Sequence, residues 1–416
     1  MSISALDENG KAVDWWFIYK VPEIDGSGPS AAKGYEYIYY DSNAGKCVTS
    51  PYQLSTDKGA LDATLDAIFN KPSSTMGWVL YNDEMPDGAK TSPSQADNGS
   101  MGHTKGVLAF DTADKSAVWL LHSWPKYAMP GDKTMPTPKY GQTYLCISLD
   151  IGTLNSIAQV MIDHQEPQVF ASRVDMLGAN DPLRLLAKGV DPNAKGDSHV
   201  MDFESIGGKA FKLIAKNRKW GGDFWNQLVG PALGVNMDVE TWIRGAIPSD
   251  IDSNAPGAIN LLGKDDVIDI KSIDLTPLGA PWKWPETKDH AKWGIGVEQD
   301  WVVVGDINRM VSQEKRGGGA IALQEPGLWN ALKQTDTTAK PAKIAVKKKA
   351  APGPLPKTTT TSKAKRAVPV KKVEVKKAAA AKKPAPAKKP VTAKKAAPVK
   401  KVAAKKTTAK KPAARR

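Results

Sequence analysis

Two segments of this chain carry a histidine and a lysine at the same spacing. His103 and Lys105 stand in Gly102-His103-Thr104-Lys105-Gly106, and His290 and Lys292 stand in Asp289-His290-Ala291-Lys292-Trp293. The chain has only five histidines, so the repeated His-x-Lys uses two of them. In extended backbone, residues i and i+2 share a face, so each pair presents an imidazole and an ammonium side by side. Such groups suit phosphoryl transfer. Lysine stabilises charge on phosphate oxygens. One neutral imidazole can attack phosphorus while a second, protonated, donates to the leaving oxygen. Four such groups can do the work that metal ions do in many nucleases. A single His-x-Lys is weak evidence, because a lone histidine is usually a surface or satisfied core residue.

The surroundings of the two copies strengthen the reading. Each is followed by a hydrophobic run, a break and a second strand that starts with tryptophan. The first copy continues to Val118-Trp119-Leu120-Leu121-His122-Ser123, and the second to Trp301-Val302-Val303-Val304-Gly305-Asp306-Ile307-Asn308. The His-to-Trp separations are 16 and 11 residues, an approximate match that suggests two related halves.

Short β-branched and aromatic runs bounded by Gly, Pro, Asp and Asn predict strands at 13–20, 35–40, 78–81, 106–110, 117–121 and 143–149. Leu61, Leu65 and Ile68 predict a helix within 58–69, and Thr153 is a candidate cap for a helix reaching about Met161. The middle reads as more helical: Phe203, Phe211, Leu213 and Ile214 suggest an amphipathic stretch, and 224–229 another helix. Strands return at 267–273, 294–297 and 301–304. This mixture predicts an α/β (α+β) fold.

From about Thr335 the pattern stops. Residues 340–416 hold 27 Lys and Arg against one acid, a net charge of +26, while the rest of the chain carries −12. Lys-Lys pairs recur among Ala, Val, Thr and Pro, a composition similar to linker-histone tails. High charge and few large apolar groups predict a disordered segment. It has no aromatic ring for stacking on bases, so its expected partner is DNA bound without sequence preference, by counterion release. Alternatively, it could fold back on the acidic body. The body holds all 13 tryptophans, which suits a substantial core. No apolar stretch is long enough for a transmembrane helix, so no membrane partner is expected. The N-terminus lacks a basic region and apolar run, and two cysteines, Cys47 and Cys146, are too few for a disulfide framework. The expected compartment is the cytoplasm, with the tail allowing association with the nucleoid.

Taken in order, VDWWFIYKVP, GHTKGVLAFD, WLLHSWPKY, GQTYLCISL, DHAKWGI and VGDINRM…KRGGGAI resemble the successive signatures of deoxyribonuclease II, from about Val13 to Trp329. The resemblance implies a phospholipase D-like fold of two pseudo-symmetric halves, each with a mixed sheet flanked by helices. The halves are expected at 1–150 and 151–334, with the tail at 335–416. It implies DNA phosphodiester hydrolysis with no metal and no cofactor, leaving 3′-phosphate ends through a phosphohistidine. The roles fall on His103, Lys105, His290, Lys292 and Asn308, whose Gly305-Asp306-Ile307-Asn308 resembles the superfamily's Gly-Ser-x-Asn. His103 is the expected nucleophile and His290 the acid, with the reverse assignment as the alternative. The matching place in the first half, His122-Ser123-Trp124-Pro125, has no asparagine, so Ser123, His122 and Asp306 are candidate substrate-binding residues. Animal members have several disulfides; here Gly294, Val303 and Ala322 stand near the places of missing cysteines, and Cys146 lacks its partner near Asp14.

Other residues have blander readings. His164 and His199 read as surface residues, and His122 equally as a core histidine bonded to backbone. Asp265, Asp266 and Asp269 read as a solvated turn, not metal ligands. Gly317-Gly318-Gly319 reads as a flexible loop or a backbone cradle for phosphate. Trp15, Trp16, Trp282 and Trp284 read as core or cleft wall. Two rival functions remain: a nucleoid-associated DNA-binding protein with a vestigial nuclease body, and a phospholipase D-like enzyme acting on another phosphodiester. The oligomeric state is not legible.

Overall fold

The run Trp15–Lys20 is apolar at every position but its last, as expected for a strand covered on both faces. In the structure, a computed structural model describing residues 2–87, 89, 101–127, 130, 135–190, 198–242 and 267–337, it lies inside a large sheet. We label its strands β1 (Trp15–Lys20), β2 (Tyr37–Asp41), β3 (Val48–Thr49), β4 (Met76–Asn82), β5 (Lys105–Asp111), β6 (Ser116–His122), β7 (Gln142–Asp150) and β8 (Val169–Arg173). Their order across the sheet is β8-β4-β5-β6-β7-β1-β2-β3.

A second sheet holds β9 (Ser198–Glu204), β10 (Ala210–Lys216), β11 (Met237–Glu240), β12 (Val267–Asp269), β13 (Trp293–Gly296), β14 (Trp301–Gly305) and β15 (Gly318–Gln324). Its order is β9-β10-β15-β14-β13-β11-β12. Reading outward from the His-x-Lys strands, β4-β5-β6-β7-β1-β2 and β11-β13-β14-β15-β10-β9 correspond, and every neighbouring pair in both series is antiparallel. The chain order is also shared over five strands, β4-β5-β6-β7-β1 against β11-β13-β14-β15-β10, while the sixth differs, β2 following β1 and β9 preceding β10. Strand membership divides the chain between Arg173 and Ser198.

Alternation decides what each face does. Phe17 and Tyr19 of β1 face one way and join Leu108, Trp119, Ile147, Leu213, Ile295, Val304 and Ile321 in a core between the sheets. The helix Ile151–Val160 packs into this core through Leu154, Ile157 and Ala158. Trp16 and Ile18 face the other way, against Leu61 and Ile68 of the helix Ala60–Phe69. The outer face of the second sheet, with Val303 and Ala322, is covered by Trp225 and Val229. A core this large removes enough apolar area from water to offset the ordering of a long chain.

Some expectations change. The stretch around Phe203 and Phe211 is the hairpin β9–β10, not a helix, and Gly207-Gly208 sits at its turn. Phe211, Leu213 and Ala215 alternate into the core, so period two prevails over the helical reading. The helix after β7 is capped by Asp150, whose carboxylate accepts from the backbone of Gly152 and Thr153, rather than by Thr153. Asp269 is buried and ion-paired to Arg309 at 3.1 Å, not on a solvated turn, while Asp265 and Asp266 lie outside the described residues. His164 is half-buried and stacked on His199. Cys47 and Cys146 are free thiols. The tail from residue 338 also lies outside the described residues. Among them, no helix is long and apolar enough to cross a membrane.

Candidate active site

Each His-x-Lys lies at the entrance to a central strand: Lys105 opens β5, and Lys292 immediately precedes β13. The other half of the molecule holds each histidine there. The backbone N–H of His103 donates to the carbonyl of Gly317 at 2.8 Å, and that of His290 to the carbonyl of Gly141 at 3.0 Å. Gly317 precedes β15 and Gly141 precedes β7, so the clasp is reciprocal. It requires close backbone approach. A Cβ on Gly317 would lie 2.4 Å from the Gln165 carbonyl oxygen, and one on Gly102 only 2.0 Å from it.

Two buried lysines secure the same loops. Lys20, at the end of β1, donates its ammonium to the carbonyls of Val21, Gly34 and Pro138. Lys216, in the corresponding place on β10, donates to those of Gln313, Glu314 and Arg316.

The four His-x-Lys groups converge on one cavity of about 100 Å³, also lined by Ser123, Asn308, Trp242, Glu84 and Gln313. The His103 side chain is 11% exposed. Its Nδ1 stands 2.5 Å from the carbonyl oxygen of Asp306. A carbonyl can only accept, so Nδ1 carries the proton and Nε2 keeps its lone pair. That Nε2 is 3.8 Å from the Asp83 carboxylate. Asp83 also accepts from the Lys105 ammonium and from Arg316 Nη2 at 3.0 Å. The first half-site is therefore a buried carboxylate ringed by three nitrogen groups.

The second half-site is built differently. The His290 ring lies between Tyr140, stacked at 3.8 Å with the planes 10° apart, and Trp242, at 4.4 Å and 32°. Its Nε2 is buried without a hydrogen-bond partner. Lys292 donates its ammonium to the His290 carbonyl at 2.6 Å. The neighbouring Asp289 is fully buried and accepts from the Tyr19 hydroxyl, from Trp284 Nε1 at 2.6 Å and from the Ala291 backbone at 2.8 Å.

Crowded positive charge in a dry pocket shifts the titration of these groups. Burial, then Lys105, holds His103 well below the usual histidine range, with Asp83 opposing. Burial, then Lys292 and Lys105, brings His290 down to about 3. Burial and Lys105 bring Lys292 down to about 7. Burial works against ionisation of Asp83, yet Lys105, His103 and Arg316 keep it well below the ordinary carboxylate range. Both imidazoles are therefore held toward the neutral form, beside the Lys105 and Lys292 side chains.

All five residues given catalytic roles in the sequence line the cavity: His103, Lys105, His290, Lys292 and Asn308, whose buried Oδ1 is unpartnered. Ser123 lines it too, with its hydroxyl donated to Gln142 Oε1 at 2.5 Å. Asp306 contributes its backbone carbonyl, while its carboxyl is buried and held well above the usual range by burial. His122 is not among the lining residues. It is a core histidine: Nδ1 accepts from the Trp124 backbone at 3.2 Å, and the ring packs on Tyr127 and Tyr144. The glycine run is the end of a clasp and the start of β15. Sequence reasoning missed Asp83, Arg316, Tyr140 and Trp242. Arg316 directly precedes the glycine run and Tyr140 directly precedes Gly141, but nothing in one sequence marks their partners.

The model of the family "Deoxyribonuclease II" matches residues 4–342. A putative deoxyribonuclease-2 of Burkholderia pseudomallei (strain 1710b) is 56% identical over 342 residues, covering 82% of this chain and 94% of that protein. Deoxyribonuclease-2-alpha of Rattus norvegicus is 31% identical over 354 residues, covering 82% and 95%. A yeast tyrosyl-DNA phosphodiesterase structure aligns over 53% of this chain and 66% of that one at 10% identity, with a TM-score of 0.27, too slight to bear on the fold.

Proposed function

The chain belongs to the deoxyribonuclease II family, and on that premise we propose that it cleaves DNA without a metal, by way of a phosphohistidine on His103. It is a hydrolase of DNA phosphodiester bonds; the route is our reading of the cavity. The observation that carries it is the contrast between the two imidazoles. The tautomer of His103 is fixed by the Asp306 carbonyl, so its Nε2 lone pair is constant. No hydrogen bond to either ring nitrogen of His290 fixes its proton among the described residues. A nucleophile needs the first property, and a group that gives and regains a proton needs the second.

In the first step His103 Nε2 bonds to phosphorus, the bond to the 5′-oxygen breaks, and that oxygen takes a proton from His290. In the second, a water oxygen bonds to phosphorus, its proton goes to His290, and the phosphorus–nitrogen bond breaks. The products are a 3′-phosphate and a 5′-hydroxyl. Lys105, Lys292 and Arg316 stabilise the equatorial oxygens, as preorganised cations in a low-dielectric site do. Asn308 offers its amide to the same oxygens. Displacement of Asp83 from its cations by the phosphate is part of binding. The basic tail holds DNA near an acidic body that would otherwise repel it.

Plasmid nicking in excess chelator tests this. The wild-type chain is expected to nick, and His103→Ala and His290→Ala to lose activity. Chelator-sensitive nicking that survives both substitutions would overturn the proposal.

A further inference from the structure

A catalytic imidazole must keep its ring plane aimed at the reacting atom, and hydrogen bonds usually do this. His103 has such a bond. His290 does not: no carboxylate, carbonyl or hydroxyl among the described residues bonds to its ring, and its Nε2 is unpartnered. What does touch the ring is aromatic. Tyr140 lies nearly parallel at 3.8 Å on one contact and Trp242 at 4.4 Å on another. Both rings are half-buried, and Trp242 lines the cavity itself. They come from different halves of the molecule, Tyr140 just before β7 and Trp242 just after β11.

We propose that Tyr140 and Trp242 are positioning residues for His290, holding its imidazole by its faces so that the ring edges stay free to give a proton to the leaving oxygen and take one from water. This rests on the reading of His290 as the acid. Stacking restrains the tilt of the plane without assigning the proton to either nitrogen. A backbone hydrogen bond at Nδ1, as on His103, would fix one tautomer. The stacked ring instead exchanges its proton twice in each turnover without losing its hold. The faces also favour the imidazolium formed after water attack, since a cation above an aromatic ring is attracted to it. The loop bearing Tyr140 is in turn held by the Lys20 ammonium on the Pro138 carbonyl, so the wall is anchored.

The test separates proton donation from other losses by changing the leaving group. Thymidine 3′-(4-nitrophenyl phosphate) releases nitrophenolate, which departs without a proton. In Tyr140→Leu and Trp242→Leu, single-turnover cleavage of DNA is expected to fall about 10- to 100-fold, a partial loss of the roughly 100- to 10,000-fold that general acid catalysis supplies. Single-turnover nitrophenolate release should fall far less than DNA cleavage does, and circular dichroism checks that the variants fold. Tyr140→Phe and Trp242→Phe, which keep a face, should restore DNA cleavage. Equal loss on both substrates, or no rescue by phenylalanine, overturns the proposal. His290→Ala reports separately on the underlying reading. If it loses DNA cleavage but keeps nitrophenolate release, His290 is the acid; if it loses both alike, the acid role falls and the aromatic assignment falls with it. If His290→Ala passes while the leucine variants match wild type on DNA, only the aromatic assignment falls.

Discussion

If His290 supplies the proton, the pH dependence should differ between free and bound enzyme in a direction the cavity dictates. In the empty site burial, Lys292 and Lys105 bring His290 to about 3. At pH 7 only about one molecule in ten thousand then carries the imidazolium, and at pH 5 about one in a hundred. Burial, then Lys105, also holds the nucleophile His103 well below its usual range, which works against an opposing limb. Thus kcat/KM, which reports the free enzyme, should climb about tenfold per unit as pH falls from 7 to 5. A bound phosphodiester changes the balance. One negative charge at about 4 Å, with an effective dielectric near 20, is worth about 4 kcal/mol, or about 3 pKa units. His290 in the complex then titrates well above its value in the free enzyme, so kcat should level off at a higher pH than kcat/KM does. Initial rates of plasmid nicking or oligonucleotide cleavage at constant ionic strength measure both. A kcat/KM that is flat between pH 5 and 8 would refute the assignment of the proton to this ring.

Asp83→Ala leaves the buried Lys105 ammonium and the half-buried Arg316 guanidinium without their counter-ion. The expected loss is about 3–5 kcal/mol in urea unfolding at pH 7, partly recovered by inorganic phosphate; a loss below about 1 kcal/mol contradicts the ion pairing. Gly317→Ala drives a methyl group against the Gln165 carbonyl and the Glu166 carboxylate and so displaces the clasp on His103. It is expected to cost about 1–3 kcal/mol and to lower kcat more than it raises KM; wild-type kcat would show that the clasp does not position the histidine. Truncation after Thr337 removes the basic tail, and DNA affinity should fall with a shallower dependence on log salt; an unchanged slope in a fluorescence titration removes the tail from DNA binding.

The chemistry-bearing pairs were legible because they are local: two residues apart, repeated, and each followed by a tryptophan-led strand. The strands were legible because both faces of each sheet are covered, so β1 and β5–β7 read as apolar runs. The hairpin 198–216 was misread because its partly exposed edge strand hides the alternation that Phe211, Leu213 and Ala215 carry. The rest of the site depends on long-range meetings. Asp83 lies 233 residues from Arg316, and His103 lies 203 residues from the Asp306 carbonyl that fixes its tautomer. Composition and spacing carry no trace of such pairings. His122 illustrates the converse. It lies within a family signature, but its Nδ1 is spent on the Trp124 backbone, and burial, then Lys105, pushes it down to about 3.

The covalent intermediate offers the most direct test. Wild-type protein would be mixed with internally radiophosphorus-labelled DNA, quenched during turnover and mapped by peptide. Phosphate is expected on the peptide holding His103, in an acid-labile, alkali-stable linkage. Label on His290 would reverse the roles, and absence of label at every quench time would leave no place for a phosphohistidine.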